Sequence, residues 1–247
     1  MRNYNLTFID DETLFNHVKD TVLKYRFSMD LKQFNKNIID PIKLTFDAKV
    51  YNKTMKELIN SEIIRQIDKS NTNHIGYFHQ NMFNHIGDGW TVPEQGYDIV
   101  NTKEKIYVEM KNKHNTMNSS SSQKTYARMQ NTLLQDNEAK CYLVEVIAKH
   151  SQNIVWAVSM DGTQMRHENI RRVSLDKFYE IATGETEAFK NLCEKLPIVI
   201  EDVVDTMEGE TMNSTVFEEL EQIDPNMLKS LYLLSFAEYE GFDNFTI

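Results

Sequence analysis

Apolar positions recur along this chain at two different periods, and the switch between them marks out the elements. Leu14, Phe15, Val18, Val22 and Tyr25 fall at helical spacing and predict an amphipathic helix over 13–27, capped by Asp10 or Asp11. A shorter helix is expected over 30–39, stopped before Pro41, while 42–51 fits either an extended or a helical segment. Met55, Leu58, Ile59, Ile63 and Gln66 share one face and predict a helix over 53–69. Residues 71–73 read as a turn, and a further whole or broken helix runs over 74–86 to Gly87-Asp88-Gly89.

Beyond that point the period shortens. An apolar run ending at Val100 and another starting at Ile106 flank the polar segment 101–105, which reads as a β-hairpin. Strands are expected over 141–148 and 154–160, the second ended by Asp161-Gly162. Between hairpin and strands lie a polar loop over 112–122 and a helix over 123–135. That helix has an apolar stripe of Tyr126, Met129 and Leu133 and a polar one of Lys124, Arg128, Asn131 and Gln135. Helices follow over 174–183, with Ser174 as cap and Gly184 as stop, over 187–196, broken by Pro197, and over 225–240; 198–204 fits strand or helix. The fold class is therefore α/β, a central mixed sheet of at least four strands flanked by helices.

Composition narrows the class. A chain of 247 residues, 40% hydrophobic and 11% aromatic, supports one substantial core, and no apolar run reaches membrane-spanning length. The first residues lack an apolar signal core, and Cys141 and Cys193 are too few for a disulfide framework; both facts point to a reducing cytoplasm. The net charge of −10 argues against indiscriminate adhesion to DNA. Much of that acid lies in 201–205 and 218–221, however, and the segment 103–128 is basic. His74, His79 and His85 match no compact zinc spacing.

The candidate chemistry sits on the hairpin. Side chains alternate across a strand, so Ile106, Val108 and Met110 face one way and Tyr107, Glu109 and Lys111 the other. Asp98, from the neighbouring strand, can lie beside Glu109. Two converging carboxylates form a hard-oxygen site suited to Mg²⁺, and a lysine beside them can stabilise charge on a phosphate or assist an attacking water. Glu62 falls amid an apolar helical stripe, where a carboxylate is costly unless it is paired or near a metal. It is either an additional acidic site residue or a glutamate reaching solvent at the stripe's edge.

The spacing D-x10-E-x-K over Asp98, Glu109 and Lys111 resembles the active site of the PD-(D/E)XK nucleases, with Pro93 further back than usual. The segments 35–46, 74–80 and above all 109–126 look like the Type II restriction endonucleases that cut GGNCC or GGWCC sites. The resemblance implies a restriction-endonuclease-like core over about 53–160 within a single endonuclease domain, with helical additions over 1–52 and 161–247. It implies Mg²⁺, with Mn²⁺ as substitute, held by Asp98, Glu109 and the Met110 carbonyl, Lys111 acting on the nucleophile, and Glu62 as the helix-borne acid. Staggered cutting of double-stranded DNA to 5′-phosphate ends, a homodimer on a palindrome, and a methyltransferase partner without a stable complex follow from the same likeness. Candidate DNA contacts are Lys113, His114, Asn115, Asn118, Ser119 and Ser120 in the loop, Lys124 and Arg128 on the next helix, and His79 and Gln80 upstream. A repair or junction nuclease, a non-catalytic DNA-binding module, and an interaction protein with an acidic C-terminal part are the competing readings.

Overall fold

The computed structural model describes residues 3–207, 213–236 and 239. The chain opens with α1 (Asp11–Val22), β1 (Ser28–Met29), α2 (Leu31–Asn35), α3 (Pro41–Val50) and the long α4 (Met55–Met82). Strands β2 (Trp90–Thr91), β3 (Ile99–Asn101) and β4 (Ile106–Lys113) lead to α5 (Ser119–Gln135). Then come β5 (Lys140–Ile147), β6 (Asn153–Met160), β7 (Thr163–Ser174), α6 (Leu175–Thr183), α7 (Ala188–Val204), β8 (Asn213–Ser214), α8 (Val216–Ile223) and α9 (Met227–Ser235).

Two compact units divide the chain. The first comprises Met1–Leu23 and His74–Thr206, the second Lys24–Asn73 and Met207–Ile247. The second is helical, built on Phe34, Leu44, Ile59, Ile63, Val216, Leu220 and Leu231, with a short parallel pairing of β1 and β8. Two of its helices, α2 and α3, begin on aspartates: Asp30 accepts from the Gln33 amide at 2.7 Å, and Asp40 from that of Lys43 at 3.0 Å.

The first unit carries a mixed six-stranded sheet in the order β2-β3-β4-β5-β7-β6. Pairing is antiparallel at β2–β3, β3–β4 and β6–β7 and parallel at β4–β5 and β5–β7. Helix α5 covers one face, packing Tyr126, Met129 and Leu133 onto Cys141, Leu143, Trp156 and Ile170. Elsewhere in the unit Phe83, Trp90, Phe178 and Tyr179 form an aromatic cluster with ring centroids 4.5–6.1 Å apart.

The hairpin over 99–113 forms as its alternation predicts. Asn101 fixes the turn by accepting from the amides of Lys103 and Glu104, both at 3.1 Å. Gly89 (φ +84°) passes so close that a Cβ there would lie 3.0 Å from the Asn101 side chain. The 141–148 and 154–160 expectations match β5 and β6 to within a residue.

The structure departs from expectation at six places. The turn over 71–73 is absent, because asparagine and threonine are weak helix formers rather than breakers and α4 runs on through them. Pro197 does not break α7; Ala188, Leu192, Val199 and Val203 form one buried stripe across it, and that packing overrides the lost hydrogen bond. The serines of 119–122 are the first turn of α5, not loop, with Asn118 accepting from the Ser121 amide at 2.9 Å. The first helix ends at Val22, so Tyr25 lies outside it. Strand β7 was not anticipated; it lies between β5 and β6, so the sheet extends beyond residue 160. The expected final helix ends at Ser235, and part of its predicted span lies outside the described residues. Among the described residues no helix is long and apolar enough to cross a membrane.

His79 is 8% exposed on α4, its ring against Phe78 and Phe189. Burial foremost, with His17 nearby, pushes its pKa from 6.5 down to about 4. The unfolded chain therefore takes up a proton below about pH 6.5 that the folded chain resists until about pH 4. This stability is complete above the unfolded value and is lost as pH falls toward the folded one. We expect urea denaturation to show a loss on the order of 2 kcal/mol between pH 7 and pH 5, with His79→Leu flattening that part of the dependence.

Candidate active site

The alternation of β4 separates its two faces. Ile106, Val108 and Met110 are buried on one side, and Tyr107, Glu109 and Lys111 project on the other. Asp98 precedes β3, its amide donating to the Val108 carbonyl at 2.9 Å. Its Oδ2 accepts from the Met110 amide at 2.7 Å, which turns the carboxylate toward the edge of β4. Burial, with the Glu109 charge adding to it, raises the Asp98 pKa above the ordinary carboxylate value, while the Met110 hydrogen bond, Lys111 and Arg128 oppose the rise.

Glu109 is held from two sides. Lys111 Nζ lies 2.6 Å from its Oε1, and Arg128 of α5 pairs with its Oε2. The Arg128 guanidinium also donates to the Gly96 carbonyl at 3.0 Å and sits over the Tyr97 ring at 4.5 Å. The Tyr97 hydroxyl is within 2.8 Å of Thr132 Oγ1 on α5. Asp98, Glu109, Lys111 and Arg128 thus form one group tied to the segment over 96–98, and Met110 joins it through its backbone.

The donor chemistry suits a hard divalent cation. Two partly buried carboxylates, Asp98 and Glu109, offer oxygen ligands, and among the described residues no third Asp, Glu, His or Cys completes a cluster. Mg²⁺ commonly uses such a short set, with water and substrate phosphate filling the remaining positions. The raised pKa of Asp98 marks a place where added positive charge would favour the ionised carboxyl.

A short loop joins the end of β4 at Lys113 to α5. His114 donates its amide to the Ile147 carbonyl at 2.9 Å, continuing the β4–β5 pairing. Asn115 adopts φ +56°, and the Thr116 hydroxyl donates to the Lys113 carbonyl at 3.0 Å. Lys113, Asn115, Asn118, Ser119, Ser120 and Lys124 are exposed. His114 lies instead against a group that sequence reasoning missed. Glu145 of β5 accepts from Arg172 of β7 and contacts His114 Nδ1 at 3.0 Å. Its signal was available: it is a lone carboxylate inside the apolar strand 141–147.

His79, Gln80 and Glu62 lie on α4. His79 is enclosed by aromatic rings, and Gln80 beside it is half-buried. Glu62 belongs to the second unit, where its carboxylate accepts from Arg65 Nε at 2.6 Å and Gln66 Nε2 at 3.0 Å.

Comparison with known proteins identifies the family of the chain. A family model described as Eco47II restriction endonuclease matches residues 6–205. The Type II restriction enzyme Sau96I of Staphylococcus aureus is 32% identical over 236 residues, covering 90% of each chain. The Type II restriction enzyme Eco47II of Escherichia coli is 30% identical over 219 residues, covering 83% of this chain and 90% of its own. The matched span contains the whole sheet, the hairpin and both carboxylates, so the chain belongs to the Eco47II restriction endonuclease family.

Proposed function

We propose that this enzyme cuts double-stranded DNA at a short palindromic GGNCC-type sequence, using Mg²⁺ or, in its place, Mn²⁺, and leaves 5′-phosphate ends. The convergence of Asp98, Glu109 and Lys111 on one edge of the hairpin carries this reading. Asp98, Glu109 and the Met110 carbonyl are the proposed metal ligands. A bound divalent cation supplies Lewis-acid polarisation of the phosphate and a more acidic water.

The chain's own groups do the rest. Lys111, partly exposed beside Glu109, orients the attacking water and stabilises negative charge on the phosphate. Arg128 fixes the Glu109 carboxylate, and we assign it to that task before any contact with DNA. Lys113, His114, Asn115, Asn118, Ser119, Ser120 and Lys124 form the proposed DNA-facing set. The first turn of α5 adds backbone N–H groups suited to a phosphate. A palindromic target calls for a homodimer whose two-fold axis matches that of the site, and for a methyltransferase that protects host DNA without a stable complex.

Digestion of a fully sequenced plasmid with Mg²⁺ tests the function. Discrete fragments with ends mapping to one short palindrome, lost in EDTA, are expected; structure-selective nicking would favour a repair nuclease instead. Asp98→Asn tests the site. Cleavage should fall by a factor on the order of 10³ or more if the metal depends on this ligand. The same variant should melt higher than the parent at neutral pH in EDTA. A carboxyl whose folded pKa is raised lowers stability once ionised; this cost develops as pH rises from the unfolded value near 3.8 through the folded one and is complete at neutral pH. Glu62→Ala decides the proposed helix-borne acid: a hundredfold loss of cleavage would keep Glu62 in the site, and near-parent cleavage would leave its carboxylate to Arg65 and Gln66 alone.

A further inference from the structure

Among the described residues Glu145 is the one carboxylate that is buried, at 1% exposure. It lies one strand from the proposed catalytic group, because β4 and β5 pair Lys111 with Glu145 in register. Arg172 pairs with one of its oxygens, and His114 Nδ1 lies 3.0 Å from the other. These partners hold the Glu145 pKa below its usual value against the opposing effect of burial.

Stability alone gives a weak account of this group. A buried ion pair contributes little net stability, and apolar side chains of similar volume often serve as well or better. The directions of its contacts are more informative. The Arg172 guanidinium that meets Glu145 also lies 2.9 Å from His114 Nδ1 and donates to Asn115 Oδ1 at 3.3 Å. Both targets sit in the loop that leaves β4 after Lys113, and Asn115 holds the left-handed conformation that turns it. The Arg172 contacts with Glu145, His114 and Asn115 all run through one nitrogen, Nη2, so a single end of the guanidinium joins β5 to the loop. A concavity of about 50 Å³ opens here, bordered by Lys111, Lys113, Ser122, Glu145, Trp156 and Arg172.

We propose that Glu145 and Arg172 are positioning residues for sequence discrimination, a buried charge pair that sets His114 and Asn115 in the conformation that reads DNA. The inference rests on the assignment of the 113–120 segment to DNA contact. Glu145 anchors Arg172 from beneath, and Arg172 spans to the loop. Side chains that read base edges must be held rigidly by such supports to discriminate.

The test compares kcat/KM on the mapped site with kcat/KM on duplexes carrying one substituted base pair, using the full chain with Mg²⁺. The variants are Glu145→Gln and the double replacement Glu145→Met with Arg172→Met, whose side chains keep the space filled. We expect the double variant to melt within a few degrees of the parent and the ratio between true and altered sites to fall at least tenfold. KM on the true site should rise more than kcat falls. A well-folded double variant with unchanged discrimination would overturn the proposal, since a structural role alone predicts that result. Should Glu145→Gln melt much lower, the double variant decides. His114→Ala with Asn115→Ala separates the two levels. If discrimination survives their loss, the loop assignment falls and this proposal with it. If they lose discrimination and the Glu145 variants keep it, only this proposal falls.

Discussion

The parallel register between β4 and β5 governs the arrangement on which the rest depends. It sets Glu109 beside Leu143 and Lys111 beside Glu145. Side chains alternate with a period of two, so a slip of one residue would turn Glu109 and Lys111 into the opposite face and Met110 out of it. Such a slip would bury two charges and expose the apolar set of Ile106, Val108 and Met110, which gives the register its firmness. The α5 side chains Tyr126, Met129 and Leu133 pack on the face carrying the charges and close its apolar part.

On that face the charges follow a common rule. Glu109 meets Lys111 and Arg128; Glu145 meets Arg172 and His114. In each case one partner comes from β4 or the loop after it and the other from a separate element, α5 or β7. Each carboxylate therefore ties two segments together as well as offsetting its own burial. The chain is acidic as a whole, at −10, yet this face gathers lysine and arginine. Close contacts, rather than a general attraction, must then hold DNA against the long-range charge.

Much of this was legible in the sequence, for physical reasons that can be named. The hairpin and β5 and β6 carry dense β-branched and aromatic runs bounded by polar turns. Asp98, Glu109 and Lys111 could be set together because alternation and a short turn leave little choice of geometry. Strand β7 was not legible. Its first half, Thr163 to Glu168, pairs only with β6 and is mostly exposed, so it carries no apolar signature; burial begins near Ile170. Without β7 the partner of Glu145 had no place, and an isolated carboxylate in an apolar strand could be noticed but not explained. The misread turn at 71–73 and the misread break at Pro197 share one cause. Local propensity favoured a stop at each, and the surrounding helix with its packing outweighed it.

The Glu145–Arg172 contact also bears on descent. Losing either partner alone leaves the other charge without its main partner, a loss that reaches roughly 3–5 kcal/mol where both charges are fully buried. That is a large share of the ~5–15 kcal/mol by which folded domains typically exceed their unfolded states. Single-step replacement at either position is thus a steep descent for a viable protein, although a paired exchange need not be. The two positions, 27 residues apart in the chain, should pass through lineages as one inherited character, kept together or exchanged together.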